Sequence, residues 1–245
     1  MAQTVFARKE VKYLLTQRQY LDLRAGLANQ MAEDRYGLST ICNIYYDTPE
    51  SYLITRSLEK PDYKEKLRLR SYGIPKPDTT VYLEIKKKVA GIVSKRRIGL
   101  TLREAEDYLN LDQYPAQDSQ ILREIDYLKH RLPLVPMLFL AYDRIALAGI
   151  EDPAFRVTFD RRIRSRRDRL SLGQGHAGDL LLPETMVLME AKIQGAAPLW
   201  FVRLLSELEI RRLSFSKYGA VCKKEAGALL LPKNMGQVLE RRPAV

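Results

Sequence analysis

At 245 residues and 46% hydrophobic content, the chain can bury a real core, as one large domain or two small ones. Its 41 Lys and Arg against 30 Asp and Glu leave a formal charge of +11, which calls for an anionic partner without choosing among nucleic acid, a membrane surface and phosphorylated molecules. Two cysteines, Cys42 and Cys222, exclude a disulfide framework and read as small buried residues in a reducing compartment, while two histidines, His130 and His176, nearly exclude His-based triads and His-rich zinc sites.

Residues 1–8 lack the apolar core of a signal peptide. Residues 6–15 alternate as a strand with Arg8, Glu10 and Lys12 on one face, and Thr16 can cap a helix to about residue 30 through Tyr20, Leu23 and Leu27. Residues 39–47 are strand-like, and Thr48-Pro49 predicts the opening of a short helix carrying Tyr52 and Leu53. Strands follow at about 63–72, 79–88 and 91–98, separated by a Gly/Pro-rich turn at 73–78 and a turn at Ala90-Gly91. Thr101-Leu102-Arg103-Glu104 is a capping box that starts a helix, and another helix is expected over 119–131, ending before Pro133. The apolar stretch 132–142, interrupted by Pro133 and Pro136, is too short to span a bilayer. Strands at about 137–148, 154–164 and 186–194 complete the set. Pro198 opens a helix through Trp200, Leu204, Leu205 and Leu208, and a last helix follows Ser214-Phe215-Ser216-Lys217. These elements predict one α+β domain over 1–245, an antiparallel barrel or tunnel of about eight strands ringed by helices, in a cytoplasmic protein with no membrane segment.

The strands share one habit. In Lys64-Glu65-Lys66-Leu67-Arg68-Leu69-Arg70 the cations fall on one face and Leu67 and Leu69 on the other. The same parity puts Glu84 and Lys86 opposite Val81, Leu83 and Ile85. Collected over all strands, the basic face gathers Arg8, Lys12, Lys64, Lys66, Arg68, Arg70, Lys86, Lys95, Arg97, Arg144 and Arg156, with Lys217 from the last helix. A solvated sheet face would show mixed charge with many Thr and Ser. Burying so many like charges costs several kcal/mol per ion unless they are neutralised. A closed β-structure lined with cations and holding a polyanion is therefore expected. Nucleic acid is not, since no stacking surface stripe or known module accompanies the charges. Embedded among the cations are Glu10, Glu84 and Glu190, the last beside Lys192 on one face; each is a candidate Mg²⁺ or Mn²⁺ ligand or a salt-bridge partner. Gly173-Gln174-Gly175-His176-Ala177-Gly178 matches GxGxxG, but Pro183 follows too soon for the helix a dinucleotide site needs, so a loop is expected.

Several segments together resemble the VTC-type polyphosphate polymerase domain, a branch of the triphosphate tunnel metalloenzyme (CYTH-like) superfamily. They are Arg8 to Leu14, Ile44-Tyr45-Tyr46-Asp47-Thr48, Lys66 to Gly73, Leu83-Glu84-Ile85-Lys86, Ser94-Lys95-Arg96-Arg97, Tyr142-Asp143-Arg144, Arg156 to Asp160, Met189-Glu190-Ala191-Lys192 and Ser214 to Gly219. The resemblance implies an antiparallel tunnel that binds a nucleoside triphosphate or polyphosphate. By position, Lys12, Arg68, Arg70, Lys86, Lys95, Arg144, Arg156 and Lys217 match the family's phosphate-binding residues and Glu190 its metal-binding glutamate. Arg8 stands where the wider superfamily's ExExK signature has its first glutamate, which favours the VTC branch over thiamine-triphosphatase and adenylate-cyclase branches. The SPX module and membrane helices of eukaryotic VTC proteins are missing from this sequence, so their regulation and transport are not expected of it.

The resemblance implies metal-dependent phosphoryl transfer from ATP onto a growing polyphosphate chain. Such transfer needs positioning and charge neutralisation more than covalent chemistry by the protein. The residues expected to act on the transferring group are Arg68, Arg70, Arg144 and Arg156. Phosphate contacts are expected from these and from Lys12, Lys66, Lys86, Lys95, Arg97, Lys192 and Lys217. Glu190, Glu84 and Glu10 are the expected ligands of Mn²⁺ or Mg²⁺. A tripolyphosphatase or nucleoside triphosphatase, and a non-catalytic polyphosphate- or nucleotide-binding protein, are the alternatives. Because Arg68 and Arg70 lie opposite Leu67 and Leu69, truncating either is expected to leave the unliganded protein as stable as before, or slightly more so.

Overall fold

The structure, a computed structural model, describes residues 8–59, 61–90 and 92–227. The expected strand start at Phe6, Gly91 of the expected turn, and the side chain of Arg8 lie outside the described residues. The elements in chain order are β1 (Arg8–Thr16), α1 (Gln17–Leu27), β2 (Met31–Glu33), β3 (Ser39–Asp47), α2 (Tyr52–Leu58), β4 (Tyr63–Tyr72), β5 (Thr80–Val89), β6 (Ile92–Thr101), α3 (Leu102–Leu111), α4 (Gln120–Arg131), β7 (Val135–Gly149), β8 (Arg156–Arg166), β9 (Asp179–Leu180), β10 (Met186–Gln194), α5 (Leu199–Glu207), β11 (Arg212–Leu213) and α6 (Lys217–Glu225).

Every strand joins one antiparallel sheet of 11 strands, ordered β11-β1-β10-β8-β7-β3-β4-β5-β6, with β2 added to β7 and β9 to β8. The eight expected strands are all present. The three additional ones, β2, β9 and β11, have two or three residues each and are too short to show an alternating pattern. The sheet is not closed, which corrects the expected closed β-structure: β6 and β11 remain as edges. The reason is local. β11 pairs with β1 for only two residues, and the chain then leaves the ladder at 214–216 to send α6 into the concave side. Side chains of the sheet hold the segment that leaves it: Lys66 Nζ of β4 donates to Ser216 Oγ (3.3 Å), and Lys12 Nζ of β1 donates to the Phe215 carbonyl (3.0 Å). The sheet is thus curled into a tunnel-like trough.

Strand alternation divides the apolar residues into three bodies. On the outer face of β3–β6, Ile44, Leu67, Leu69, Leu83 and Ile85 pack against Ala105, Tyr108, Leu122 and Ile125 of α3 and α4. On the outer face of β1, β8 and β10, Leu15, Val157, Phe159, Val187 and Met189 pack against α1 and α5. The third body fills one end of the concave side, where Leu14, Ile41, Leu138, Leu140 and Leu188 meet Ile54 of α2 with Tyr218 and Val221 of α6. Thr16 and Thr101 each form a complete capping box, with Gln19 and Glu104.

The GxGxxG segment is a loop with no helix after it, as expected. Two buried arginines of β8 bind it: Arg166 donates to the carbonyls of Arg169, Ser171 and Ala177, and Arg164 to that of His176. Gly178 passes so close to β8 that a Cβ there would meet the Ser165 carbonyl oxygen at 2.7 Å.

The helix expected from Thr48 begins instead at Tyr52, because Ser51 takes a left-handed conformation (φ 60°) and caps nothing with its side chain. Asp47, fully buried, does the capping from the end of β3. Its Oδ1 accepts from the N–H groups of Thr48 (2.8 Å) and Leu53 (2.7 Å), and its Oδ2 from Ile54 N–H (2.9 Å) and the Tyr218 hydroxyl (3.2 Å). One carboxylate therefore docks α2 and α6 onto β3. Asp47→Ala leaves several buried donors unsatisfied and is expected to destabilise the protein by on the order of 3 kcal/mol in urea unfolding. A loss below about 0.5 kcal/mol, the scale of an ordinary surface substitution, would show that these bonds do not hold the helices.

Candidate functional site

Sheet register places the predicted residues on one surface. Across neighbouring strands the matched positions are Glu10–Lys192–Arg156, Lys12–Glu190–Thr158, Leu188–Asp160–Arg144, Asn43–Arg70–Tyr82, Tyr45–Arg68–Glu84–Arg97 and Lys66–Lys86–Lys95. All lie on the concave face, opposite the residues of the two outer cores. Lys217, the first residue of α6, enters from the filled end and is buried. The expected set of Glu10, Lys12, Lys66, Arg68, Arg70, Glu84, Lys86, Lys95, Arg97, Arg144, Arg156, Glu190, Lys192 and Lys217 therefore converges. Arg164 and Arg166, on the same basic β8, do not belong to it and hold the loop instead.

Two anionic centres organise the cations. The first is Glu84, 1% exposed, whose Oε2 accepts from Arg68 (Nε and Nη2, both 2.7 Å) while Oε1 faces Lys95 (3.1 Å) and Arg70 (3.8 Å). The second is the pair Asp160 and Glu190. Arg144 grips Asp160 with Nε (2.5 Å) and Nη2 (2.7 Å), and its Nη2 also reaches Glu190 Oε2 (3.3 Å). Lys217 Nζ lies 2.6 Å from Asp160 and 2.7 Å from Glu190, and Lys12 Nζ lies 3.3 Å from Glu10 and 3.7 Å from Glu190. Burial raises the Glu84 carboxyl, but Arg68, Arg70 and Lys95 outweigh it and bring it down to about 2. Burial likewise raises Glu190, and Lys217, Arg144 and Lys12 hold it well below the ordinary range.

Neutral groups complete the lining, and the sequence reading missed them as site residues. Arg70 Nε donates to Asn43 Oδ1 (2.9 Å) and its Nη2 to the Tyr142 hydroxyl (3.2 Å). Arg68 Nη1 donates to the Tyr45 hydroxyl (3.1 Å). The Tyr142 ring lies under both Arg144 (5.0 Å) and Lys217 (4.7 Å). Thr158 Oγ1 is buried beside Glu190 with no hydrogen-bond partner. The same parity that selected Arg156 also selects Thr158 and Asp160, so the signal was present. Asn43, Tyr45 and Tyr142 carried no charge to mark them.

The arrangement corrects the stability expected of arginine truncation. Arg68 and Arg70 pack no core, but they neutralise a buried glutamate, and removing one partner of a buried ion pair is strongly destabilising. Arg68→Ala should therefore lower the stability of the unliganded protein, by about 3 kcal/mol if Lys95 and Arg70 compensate only in part.

Lys66 and Lys95 carry repulsion that their surroundings do not relieve, Lys95 even with Glu84 at 3.1 Å. Burial, with Lys64, Lys86 and Lys12, overcomes Tyr45 and lowers Lys66 to about 8. Burial, with Arg68 and Arg70, overcomes Glu84 and lowers Lys95 to about 8. Both groups bind protons less tightly folded than unfolded, where the ordinary value is 10.5. The unfolded chain thus holds more protons between these limits, and stability contributed by these groups rises from pH about 8 to 10.5. Glu84 has the same sign in the acid range: the stability from its depressed value is complete above its ordinary 4.5 and is lost as pH falls toward about 2. A Lys66→Met/Lys95→Met variant should lose the alkaline rise and keep the acid loss when unfolding midpoints are followed against pH. An unchanged alkaline limb would show that these lysines titrate normally.

A family model described as the VTC domain matches residues 7–225. No curated protein sequence matches the chain. Among solved structures, a candidate adenylate cyclase from Bacillus halodurans superposes with a TM-score of 0.54 at 15% identity, covering 85% of this chain and 95% of its own. A candidate adenylyl cyclase from Hippeastrum, described as having a dominant triphosphatase activity, gives a TM-score of 0.54 at 14% identity over 90% and 96%. Both likenesses are of fold alone, and the family match runs from the first strand to the last helix. The chain belongs to the VTC domain family.

Proposed function

We propose that this protein transfers phosphoryl groups from ATP onto a polyphosphate chain within the concave basic face. The observation that carries the reading is the state of the carboxylates there. Glu10, Glu84 and Glu190 each face a cation, Lys12 at 3.3 Å, Arg68 at 2.7 Å and Lys217 at 2.7 Å, so each is committed to an ion pair and none stands free to take a proton from water. A phosphate acceptor is already ionised and needs no general base. Catalysis then rests on positioning and on neutralising charge spread over the transferring oxygens.

The division of labour follows from geometry. Arg68, Arg70 and Arg144 are held by Glu84, Asn43 and Asp160, so their remaining donors are aimed before a ligand arrives. Arg156, tied loosely to Asp34 (3.5 Å) and more exposed, and Arg97 would serve nearer the surface. Lys12, Lys66, Lys86, Lys95, Lys192 and Lys217 act as point charges toward the phosphate oxygens.

A divalent ion fits this site only with help from the substrate. Among the described residues no group of three or more His, Cys, Asp and Glu could hold a metal. Glu190 and Glu10 sit close enough that each charge acts on the other, and the partnerless Thr158 hydroxyl adjoins Glu190. One or two carboxylates with phosphate oxygens suffice for Mg²⁺ or Mn²⁺. Glu190 and Glu10 would hold the ion, which would supply positive charge to offset the charge on the transferring group. Glu84, expected alongside them, is enclosed by Arg68, Arg70 and Lys95, and this reading gives it the task of holding those arginines.

A triphosphatase in the same trough is the second reading, favoured by the activity described for the Hippeastrum protein. Incubating the pure protein with ATP and Mn²⁺ and resolving products by gel and ³¹P NMR separates the two. Long chains with ADP support transfer, orthophosphate without chains supports hydrolysis, and no turnover with tight tripolyphosphate binding leaves a binding protein.

Glu190→Gln tests the metal assignment. It removes a negative charge from among Lys217, Arg144 and Lys12, so metal-free tripolyphosphate binding should hold or tighten while metal-dependent turnover falls at least about a hundred-fold, equivalent to roughly 2.7 kcal/mol of barrier. Normal metal-dependent turnover in this variant would make Glu190 purely structural.

A further inference from the structure

Beyond the arginine row, the concave face of β4 and β5 changes character. Two residues past Arg70 stands Tyr72, and opposite Arg70 on β5 stands Tyr82, on the same face. The two rings meet edge to face at 5.9 Å with an interplanar angle of 79°. Tyr72 is 52% exposed. On the far side, the β6 partner of Tyr82 is Gly99, which contributes no side chain to cover the ring. Arg97 takes the space and lays its guanidinium over Tyr82 at 4.8 Å. The result is an open shelf of two phenol rings and a flat cation, adjoining a phosphate-facing arginine. Neither ring belongs to any of the three cores.

Taking the concave face as a triphosphate site, we propose that this shelf binds the nucleobase of a nucleoside triphosphate whose phosphates run inward past Arg70 and Arg68. A planar π-system is the ligand that exposed rings and a stacked guanidinium recognise together. An inorganic phosphate chain has nothing to place there. No amide or carboxylate stands at the positions matched to the two rings, which are Arg70, Ile41 and Gly99, and the Glu84 matched to Arg97 is taken up by Arg68 and Lys95. Discrimination between bases by hydrogen bonding is therefore not built in, and the ligand class is nucleoside triphosphates in general. The shelf distinguishes donor from product: a nucleotide engages both the rings and the cations, whereas a polyphosphate engages the cations alone.

The test compares ATP with inorganic tripolyphosphate by calorimetry in EDTA, so that metal-dependent turnover does not interfere. In a Tyr72→Leu/Tyr82→Leu variant, ATP and GTP should each bind about ten-fold more weakly, the scale of one lost base–aromatic stack, while tripolyphosphate binding stays unchanged. Tyr36→Leu is the control, since Tyr36 is also exposed and stacked by Arg35 (4.9 Å) but lies on the connection between β2 and β3; it should leave both ligands unaffected. Equal losses for ATP and tripolyphosphate, or unchanged ATP binding, would overturn the shelf, as would an ATP-specific loss in Tyr36→Leu alone. Failure of tripolyphosphate to bind the unaltered protein would instead remove the underlying triphosphate reading.

Discussion

Eleven cations can share one concave surface only if something negative is folded in with them, and here that role falls to Glu84 and to the pair Asp160 and Glu190. Each sits behind the cations and not beyond them: Glu84 is 1% exposed, Asp160 fully buried and Glu190 6% exposed. Their desolvation is expensive, and it is offset because each carboxylate oxygen is faced by guanidinium or ammonium groups. The outer face needs no such device. Leucine, isoleucine and valine alternate with the charged residues and bury themselves against α1, α3, α4 and α5 by ordinary hydrophobic packing.

Placing the counter-ions behind the cations has a functional consequence. A carboxylate in front would have to be displaced by each incoming phosphate. One behind keeps the guanidinium plane fixed while leaving its outward donors for the ligand. Arg144 shows this best: Nε and Nη2 are committed to Asp160, Nη2 also reaches Glu190, and Nη1 is left for the ligand. Lys66 and Lys95 are treated differently. Their depressed values mark positive charge that the folded protein holds at a cost, and an anion between them relieves that cost. The arginines are pre-positioned and Lys66 and Lys95 are left strained, a division that suits a site where a chain of phosphates must be gripped in places and pass in others.

Much of this was legible in the sequence because a strand's period of two is rigid. Lys64 to Arg70 and Glu84 to Lys86 declare their faces without any knowledge of pairing, and antiparallel register then carries the parity from strand to strand. What could not be read was whatever depends on distant closure. The strand pattern suggests a closed β-structure equally well whether the last strand has two residues or ten, and only the brevity of β11 leaves the edges apart. Asp47 read only as the end of a strand, but its carboxylate caps α2 and also serves Tyr218, 171 residues away. Arg164 and Arg166 show the opposite limit. They share a basic strand with Arg156, yet the irregularity in pairing near Asp143, where Arg162 adopts a positive φ of 47°, changes what the strand's later residues face.

That break in β8 also explains how one strand supports both binding and architecture. Before it, Arg156, Thr158 and Asp160 look into the trough. After it, Ile163 joins the apolar body at the filled end, while Arg164 and Arg166 turn to the loop carbonyls. The filled end matters as much as the charged one. Leu14, Leu138, Leu140 and Leu188 with Tyr218 of α6 exclude water behind Lys217, and the low dielectric there strengthens each ion pair formed against it. The position of Lys217 is fixed by the Ser216 cap of α6 and by the docking of Tyr218 onto Asp47, not by the sheet. A buried cation of the site is thus carried by a helix that follows the point where the sheet stops short of closing, and its ammonium is then gripped by Asp160 and Glu190 of the sheet.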